Sequence, residues 1–136
     1  MDDCIFCRIV KGEIPSAKVY EDDGCYAFLD IGPLSWGHTL VIPKKHYEHV
    51  TEMPAAELAA LMSVVPKLAA AVIRATDAEG LNVLQNNGRV AHQFVPHVHF
   101  HVIPRNPGDE FHFNWPAGRY PPGRAEQLAQ AIRANL

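Results

Sequence analysis

The sequence predicts one α+β domain with a largely antiparallel five-stranded sheet, one main helix and a short helix near the carboxyl end. Three observations predict this fold class. The 136 residues suit a single domain over residues 1–136, five short apolar segments are typical of strands, and one long alanine- and leucine-rich segment is typical of a helix. Strands, then the main helix, then further strands make the α+β order.

The predicted strands cover residues 18–20, 25–29, 38–42, 81–85 and 98–103. The first two flank Glu21-Asp22-Asp23-Gly24, a tetrapeptide that suits a hairpin turn. The main helix is predicted over residues 54–76, with proline at its first position and apolar residues at helical spacing on one face. Pro66 is expected to kink or split it. Residues 105–136 are predicted to be irregular apart from the short helix at 125–135.

The charge and the apolar content of the sequence limit which nucleic acid and membrane partners the protein is expected to have. The net charge of −3 provides no basic field for a nucleic acid polymer, although a few well-placed donors can hold a mononucleotide. No apolar run is expected to reach the roughly 20 residues that span a bilayer. The acidic start, Met1-Asp2-Asp3, is unlike a signal peptide, so we expect a cytoplasmic protein with no membrane partner.

The run His97-Val98-His99-Phe100-His101-Val102-Ile103 alternates imidazoles with apolar residues. On a strand, alternate side chains share one face at a separation of about 6.6 Å, so the three imidazoles are expected to project one way. Such a row could be a packed polar face, could bind one metal ion, or could place a nucleophile beside hydrogen-bond donors to a phosphate. The third interpretation, in which one imidazole attacks phosphorus, is favoured because crowded imidazoles cannot all be protonated. At least one of them then stays neutral and nucleophilic.

These histidines, together with His38-Thr39-Leu40-Val41-Ile42-Pro43-Lys44-Lys45-His46 upstream, resemble the histidine-triad (HIT) superfamily, with the greatest likeness to its Hint branch and bacterial relatives. The resemblance extends from Cys4 through Arg105 and implies the HIT fold. It also implies a homodimer whose sheets join side by side. The implied activity is cleavage at the α-phosphate of phosphoramidates, acyl-nucleotides or dinucleoside polyphosphates of a purine nucleoside.

The resemblance assigns roles to individual residues. It implies a covalent nucleotidyl intermediate on His99, phosphate binding and proton relay by His101, and support from His38, with His97 completing the triad and no catalytic metal required. Asp30 would bind ribose hydroxyls, and Asn86 and Gln93 match phosphate contacts. The implied nucleotide-binding residues are therefore Phe6, Ile9, Asp30, Ile31, Asn86, Gln93, His99 and His101.

The chain departs from the family pattern just before the triad. Relatives commonly have Gly-Gln-Ser or Gly-Gln-Thr where this chain has His92-Gln93-Phe94. Phenylalanine cannot make the hydroxyl hydrogen bond that the family places near the leaving group, and His92 adds bulk and a further proton donor. The alternative function is therefore a nucleotide-binding or scaffolding dimer without catalysis.

Cys4-Ile5-Phe6-Cys7 is a C-x-x-C pair without a second pair. It could be a redox dithiol, two free thiols in an apolar turn, or half of a structural zinc site. For zinc, His46 and His97 are the candidate further ligands, and similar bacterial proteins carry a Cys2His2 zinc at these motif positions. Such a metal would fix His97 and so position the segment that carries His99.

Overall fold

The computed structural model describes residues 3–136, which form a five-stranded antiparallel sheet in the order β1-β2-β3-β5-β4. The strands are β1 (Lys18–Glu21), β2 (Cys25–Leu29), β3 (Thr39–Pro43), β4 (Gly80–Gln85) and β5 (Phe100–Arg105). The helices are α1 (Ile5–Val10), α2 (Ala55–Thr76) and α3 (Arg124–Ala134). The expected α+β fold class is confirmed. Residues 1 and 2 of the acidic start lie outside the described residues.

Helix α2 covers one face of the sheet. Because side chains alternate along a strand, Ala27, Val41 and Val102 point to the same side and pack with Leu61 and Leu68 of the helix. The helix runs unbroken through Pro66, which is exposed, so the expected split does not occur. It ends at Asp77, whose left-handed backbone (φ 54°) terminates the last turn.

By length and composition alone, α2 could cross a membrane. The prediction that no apolar segment reaches this length is therefore wrong. Its apolar character also has a local cause, because Leu61, Val64, Val65, Leu68 and Val72 are buried. Core helices pass the same test of composition, so the absence of a membrane partner stays a prediction.

Helix α1 lies on the opposite face, which the sequence had not predicted to be covered by a helix. Phe6 and Ile9 pack there with Phe28, Leu40 and Ile42, the residues that alternate with the α2-facing ones. The side chain of Cys4 caps the helix by accepting from the backbone N–H of Cys7 at 3.5 Å. This second layer brings the amino-terminal segment next to the histidines.

The histidine row begins before its strand. The backbone N–H of His97 donates to the Val95 carbonyl, and that of Val98 to the Tyr47 carbonyl, so neither joins the ladder with β3 or β4. Strand β5 therefore starts at Phe100 rather than at residue 98. The alternation still holds, because Val98 and Phe100 are buried on the α2 side while the imidazoles lie on the α1 side.

Candidate active site

The two ring nitrogens of His99 have different surroundings. Nδ1 lies 2.7 Å from the carbonyl oxygen of His97. A carbonyl only accepts, so Nδ1 carries the proton and Nε2 holds the lone pair. Within residues 3–136, Nε2 of His99 is not one of the buried side-chain atoms that have no hydrogen-bond partner. The nitrogen with the lone pair therefore reaches solvent, although the residue as a whole is only 6% exposed.

His38 and His101 form a chain of hydrogen bonds beside His99. The backbone N–H of Leu34 donates to Nδ1 of His38 at 3.0 Å, so the proton of a neutral His38 lies on Nε2. Nε2 of His38 lies 2.9 Å from Nδ1 of His101 and donates to it. The proton of His101 is thereby placed on its Nε2, which is buried and has no partner among the described residues. It is a donor available to a ligand.

Burial keeps these imidazoles neutral. Desolvation lowers the pKa of His101 from 6.5 to about 4, and it also lowers the pKa of His38 and of His99 below 6.5. The Asp30 carboxylate opposes the shift at all three rings but does not reverse it. At neutral pH, His99 therefore offers a free lone pair rather than a positive charge.

A cavity of about 290 Å³ opens in front of His99 and His101. Its apolar wall consists of Phe6, Ile9, Phe28 and Leu40. The Phe6 ring meets the His99 ring edge-on at 5.2 Å. This combination of apolar walls and a few polar groups is typical of small-molecule sites, which measure about 300–1,000 Å³.

The cavity also contains Asp30 and Ile31. The Asp30 carboxylate lies 3.7 Å from Nε2 of His38, and its other oxygen accepts from the Gly32 N–H at 2.9 Å. Its position at the cavity leaves it able to accept from hydroxyl groups. Ile31 is 96% exposed and forms part of the rim rather than of an enclosed wall.

The two expected phosphate contacts, Gln93 and Asn86, are placed differently. Gln93 is buried and its amide bonds to backbone at both ends, accepting from Gly88 N–H and donating to the Glu48 carbonyl, each at 2.7 Å. It holds together the loop before the triad. Asn86 is not among the residues that line the cavity. Phosphate binding by either side chain stays a prediction.

His97 belongs to a separate cluster with Cys4, Cys7 and His46. Nε2 of His97 lies 2.8 Å from the Pro43 carbonyl and donates to it, so the lone pair of Nδ1 points towards the thiols. Both nitrogens are thus used outside the cavity. A direct catalytic contact by His97, as the triad pattern had suggested, has no free nitrogen to make it.

The spacing of this cluster fits one tetrahedral metal ion. Nδ1 of His97 lies 3.4 and 3.6 Å from the sulfurs of Cys4 and Cys7 and 3.2 Å from Nδ1 of His46, and His46 lies 3.4 Å from the Cys7 sulfur. Ordinary Zn–S and Zn–N bonds at tetrahedral angles give roughly 3.6 Å between N and S and roughly 3.3 Å between two N atoms. The four donors are therefore already at ligand separations, and the cluster could bind a metal.

A second group, Asp30, His38 and His101, also has its polar atoms within 4.8 Å of one another. It fits a metal poorly, because the Leu34 amide fixes the proton of His38 on the nitrogen that faces His101. A metal ligand needs a lone pair on that nitrogen. The geometry is that of a chain of hydrogen bonds that leaves the proton of His101 on its Nε2.

Several contributors to the site were not predicted from sequence. Ile5, Ile14, Pro15, Phe28, Leu40 and Val95 also line the cavity. Leu40 does so because it pairs with His101 across β3 and β5. Alternation in β3 could have indicated its face, but the pairing register has no signal in a single sequence.

Comparison with known proteins decides the family. The family model of the HIT domain matches residues 11–108, more than half of the chain. The chain belongs to the HIT family. The HIT fold is shared with a crystal structure of a protein from Streptococcus mutans UA159, which has a TM-score of 0.95 and 46% identity and covers 99% of this chain and 86% of that one.

Two further HIT relatives bear on chemistry. An adenosine 5′-monophosphoramidase from Schizosaccharomyces pombe is 45% identical over 135 residues, 98% of each chain. A crystal structure of a zinc-bound histidine-triad protein from Mycobacterium smegmatis is 38% identical, has a TM-score of 0.77 and covers 98% of each chain. Similarity to a phosphoramidase and to a zinc-bound protein thus extends over nearly the whole HIT chain.

Proposed function

We propose that this protein is a nucleotide hydrolase or transferase that acts at the α-phosphate of purine nucleotide conjugates through a covalent intermediate on His99. The observation that carries the proposal is the hydrogen bond from Nδ1 of His99 to the His97 carbonyl, which leaves the Nε2 lone pair facing the cavity. Relatives of about 45% identity that are adenosine 5′-monophosphoramidases support it.

The reaction has two steps. Nε2 of His99 forms a bond to the α-phosphorus while the bond to the leaving nitrogen or oxygen breaks; Nε2 of His101 donates a hydrogen bond to that atom, which takes up its proton from solvent. In the second step a water oxygen bonds to phosphorus, the bond to His99 breaks, and the proton from water is released to solvent. The products are the mononucleotide and the protonated leaving group. Asp30 accepts from the ribose hydroxyls, and Phe6, Ile9 and Ile31 contact the base.

The test is hydrolysis of adenosine 5′-phosphoramidate combined with a mass-spectrometric search for an adenylyl group on the peptide that contains residue 99. Turnover together with an adduct in the wild type, and no adduct in His99→Ala, is the expected result. Tight binding of adenosine monophosphate without turnover or adduct would instead support the non-catalytic binding protein.

We also propose a structural Zn²⁺ held by Cys4, Cys7, His46 and His97. Burial raises the pKa of the Cys7 thiol to about 11, so this thiol needs a cation before it can act as a thiolate. When bound, the metal fixes the orientation of His97 and ties α1 to the residues before β5. No step of the reaction passes through it.

The proposed assembly is a homodimer formed along β4. This strand is at one edge of the sheet, and its outer side is unpaired within the described chain. An open edge of six residues is a template for pairing with a second copy, and Val83 on it is 41% exposed. Sedimentation should give a dimer for the wild type and a monomer for Val83→Lys; a monomeric wild type would contradict the proposal.

The cytoplasm remains the expected compartment.

A further inference from the structure

Residues 30–38, the β2–β3 loop, determine where the protons of two imidazoles lie. The backbone N–H of Leu34 in this loop donates to Nδ1 of His38, and Nε2 of His38 donates to Nδ1 of His101. The buried donor at Nε2 of His101, which has no partner among the described residues, is the result. Its presence therefore depends on where the loop holds one backbone amide.

The two rings have an alternative arrangement in which each proton lies on the other nitrogen. Without the Leu34 amide in place, Nδ1 of His38 can carry the proton, and its Nε2 then presents a lone pair to His101. Nδ1 of His101 must donate to that lone pair, so Nε2 of His101 loses its proton and becomes an acceptor. An acceptor at this nitrogen would repel the leaving atom of a substrate instead of bonding to it.

Little burial holds the β2–β3 loop in place near its middle. Residues 31–34 are all exposed. Among residues 3–136, every hydrogen bond made by residues 31–34 stays within the loop. A segment with so few contacts to the body of the protein has low local stability unless a neighbouring residue anchors it.

The half-buried Ser35 provides such an anchor. Its hydroxyl donates to the carbonyl oxygen of Pro104 in β5 at 2.6 Å. Pro104 is fully buried, so this acceptor is fixed within the sheet. The carbonyl of Ser35 also accepts from the backbone N–H of His38 at 3.0 Å. One residue thus joins the segment that contains the Leu34 amide both to His38 and to the strand that contains His101.

The strand pairing explains why a side chain makes this connection. The ladder between β3 and β5 ends at the pair Thr39 and Val102. Two residues earlier, Gly37 has a φ of 101°, and a Cβ there would lie 2.6 Å from Cγ2 of Thr76 in α2 and 3.4 Å from Cγ of Pro104. Only glycine suits this conformation and this close approach. The loop therefore passes close to Pro104 where the backbone ladder has stopped, and the Ser35 hydroxyl makes the bond.

We infer that Ser35 is a positioning residue for the reaction. Its bond to the Pro104 carbonyl holds the Leu34 amide against His38. His38 in turn keeps the proton of His101 on the nitrogen that donates to the leaving atom. The inference rests on the proposed function and adds a residue to it. Ser35 is not among the residues that line the cavity, so it acts through the two imidazoles.

The first test locates the ring protons by ¹⁵N NMR, which distinguishes a protonated ring nitrogen from one with a lone pair. In the wild type, Nε2 should be protonated in both His38 and His101. In Ser35→Ala, the Nδ1 and Nε2 signals of each ring should move towards each other, because the two arrangements exchange. Ser35→Thr keeps a hydroxyl and should restore the wild-type spectrum.

The second test is kinetic. Ser35→Ala should lower kcat for adenosine 5′-phosphoramidate about tenfold, the ratio that roughly 1.4 kcal/mol supplies. For the p-nitrophenyl ester of adenosine monophosphate, which leaves without a proton, the loss should be under about threefold. In a His38→Gln background, Ser35→Ala should have no further effect on either substrate, because the residue through which it acts is already absent.

Ser63→Ala is the matched control. Ser63 is exposed on α2, and its hydroxyl also donates to a backbone carbonyl at 2.6 Å, that of Ala60. The control removes the same kind of bond at a distance from the loop, and it should keep the wild-type spectrum and both rates.

The inference and the proposed function fail in different ways. Unchanged ring-nitrogen signals in Ser35→Ala would overturn the inference alone. So would a loss of kcat that is equal on both substrates or that persists in the His38→Gln background, since either result indicates general damage to the loop. The proposed function fails if the wild type shows neither turnover nor an adduct on residue 99, whatever the ring-nitrogen signals are.

Discussion

His97 and His99 are neighbours in the histidine row, with the same side chain on the same face of the sheet, and they have opposite surroundings. His97 gives its Nε2 proton to the Pro43 carbonyl, and its Nδ1 faces two thiols. His99 gives its Nδ1 proton to the His97 carbonyl, and its Nε2 faces the cavity. In each ring one nitrogen donates its proton in a hydrogen bond to a backbone carbonyl. The lone pair is therefore on the other nitrogen, and its surroundings determine what that nitrogen can bind.

This difference teaches that tautomer, rather than residue type, separates the proposed metal ligand from the proposed nucleophile. Desolvation lowers the pKa of His97 to about 4 and lowers that of His99 as well, so both rings are neutral at pH 7. Both therefore have a lone pair, and only its direction differs. The first two predictions below each alter one of these two surroundings and ask whether the other is affected, and the later ones concern the histidines beside His99.

The largest effect is expected from His99→Ala. We expect kcat for adenosine 5′-phosphoramidate to fall roughly 10⁴-fold or more, because no other nitrogen offers a lone pair to the α-phosphorus. The dissociation constant of adenosine monophosphate and the zinc content should stay close to the wild-type values. Steady-state kinetics, calorimetry and metal analysis measure the three quantities. Wild-type turnover would refute the assignment.

In the cluster around His97, the double variant Cys4→Ser, Cys7→Ser should lose its bound zinc, from about one ion per chain to none. Since the metal ties α1 to the segment before β5, Tm should fall by roughly 10 °C or more. Cys25→Ala is the control, because Cys25 is buried in the core on the α2 side and should leave the zinc content intact. Zinc retained by the double variant would exclude this ligand set.

The sequence predicted the placement of the row because it depends on alternation alone. Val98 and Phe100 on one side and the imidazoles on the other follow from a period of two, even though β5 begins only at Phe100. The Cys2His2 grouping was also predictable, since ligand types and the resemblance both pointed to it, and the four donors do converge.

The tautomers could not be predicted, because they depend on backbone groups from other segments. The Pro43 carbonyl fixes His97, and the Leu34 amide fixes His38; neither residue's side chain has a chemical signal for this task. Helix α1 was missed for a related reason. It has six residues, too few for a clear period, and tertiary packing of Phe6 and Ile9 stabilises it.

A smaller effect is expected from His101→Gln, which removes the imidazole hydrogen-bond donor next to the nucleophile. For adenosine 5′-phosphoramidate, whose amine must leave protonated, kcat should fall about 10²-fold. For a p-nitrophenyl ester of adenosine monophosphate, which leaves without a proton, the loss should be under about tenfold. Equal losses on both substrates would show that His101 acts only by binding or by structure.

His38→Gln tests whether the effect of the hydrogen-bond chain extends one residue further. His38 acts through His101, to which it donates at 2.9 Å, so it is a positioning residue. Its replacement should reproduce the leaving-group dependence of His101→Gln in weaker form. A uniform loss on both substrates would instead indicate damage to the loop that contains Leu34, whose amide donates to His38.

The smallest effect concerns acid stability and depends on the cavity side of the row rather than on the Cys/His cluster. Burial lowers the pKa of His101 to about 4 in the folded protein, against an ordinary value of 6.5, so between these values the unfolded chain binds more protons and stability falls as pH falls. His101→Gln should therefore lose less Tm between pH 6.5 and 4 than the wild type, by roughly 2–4 °C. Both proteins keep the same Cys/His cluster, so acid release of its metal contributes equally and cancels in the difference. Parallel Tm curves would mean that His101 is not held neutral by burial, and the proton on its Nε2 would then need another explanation.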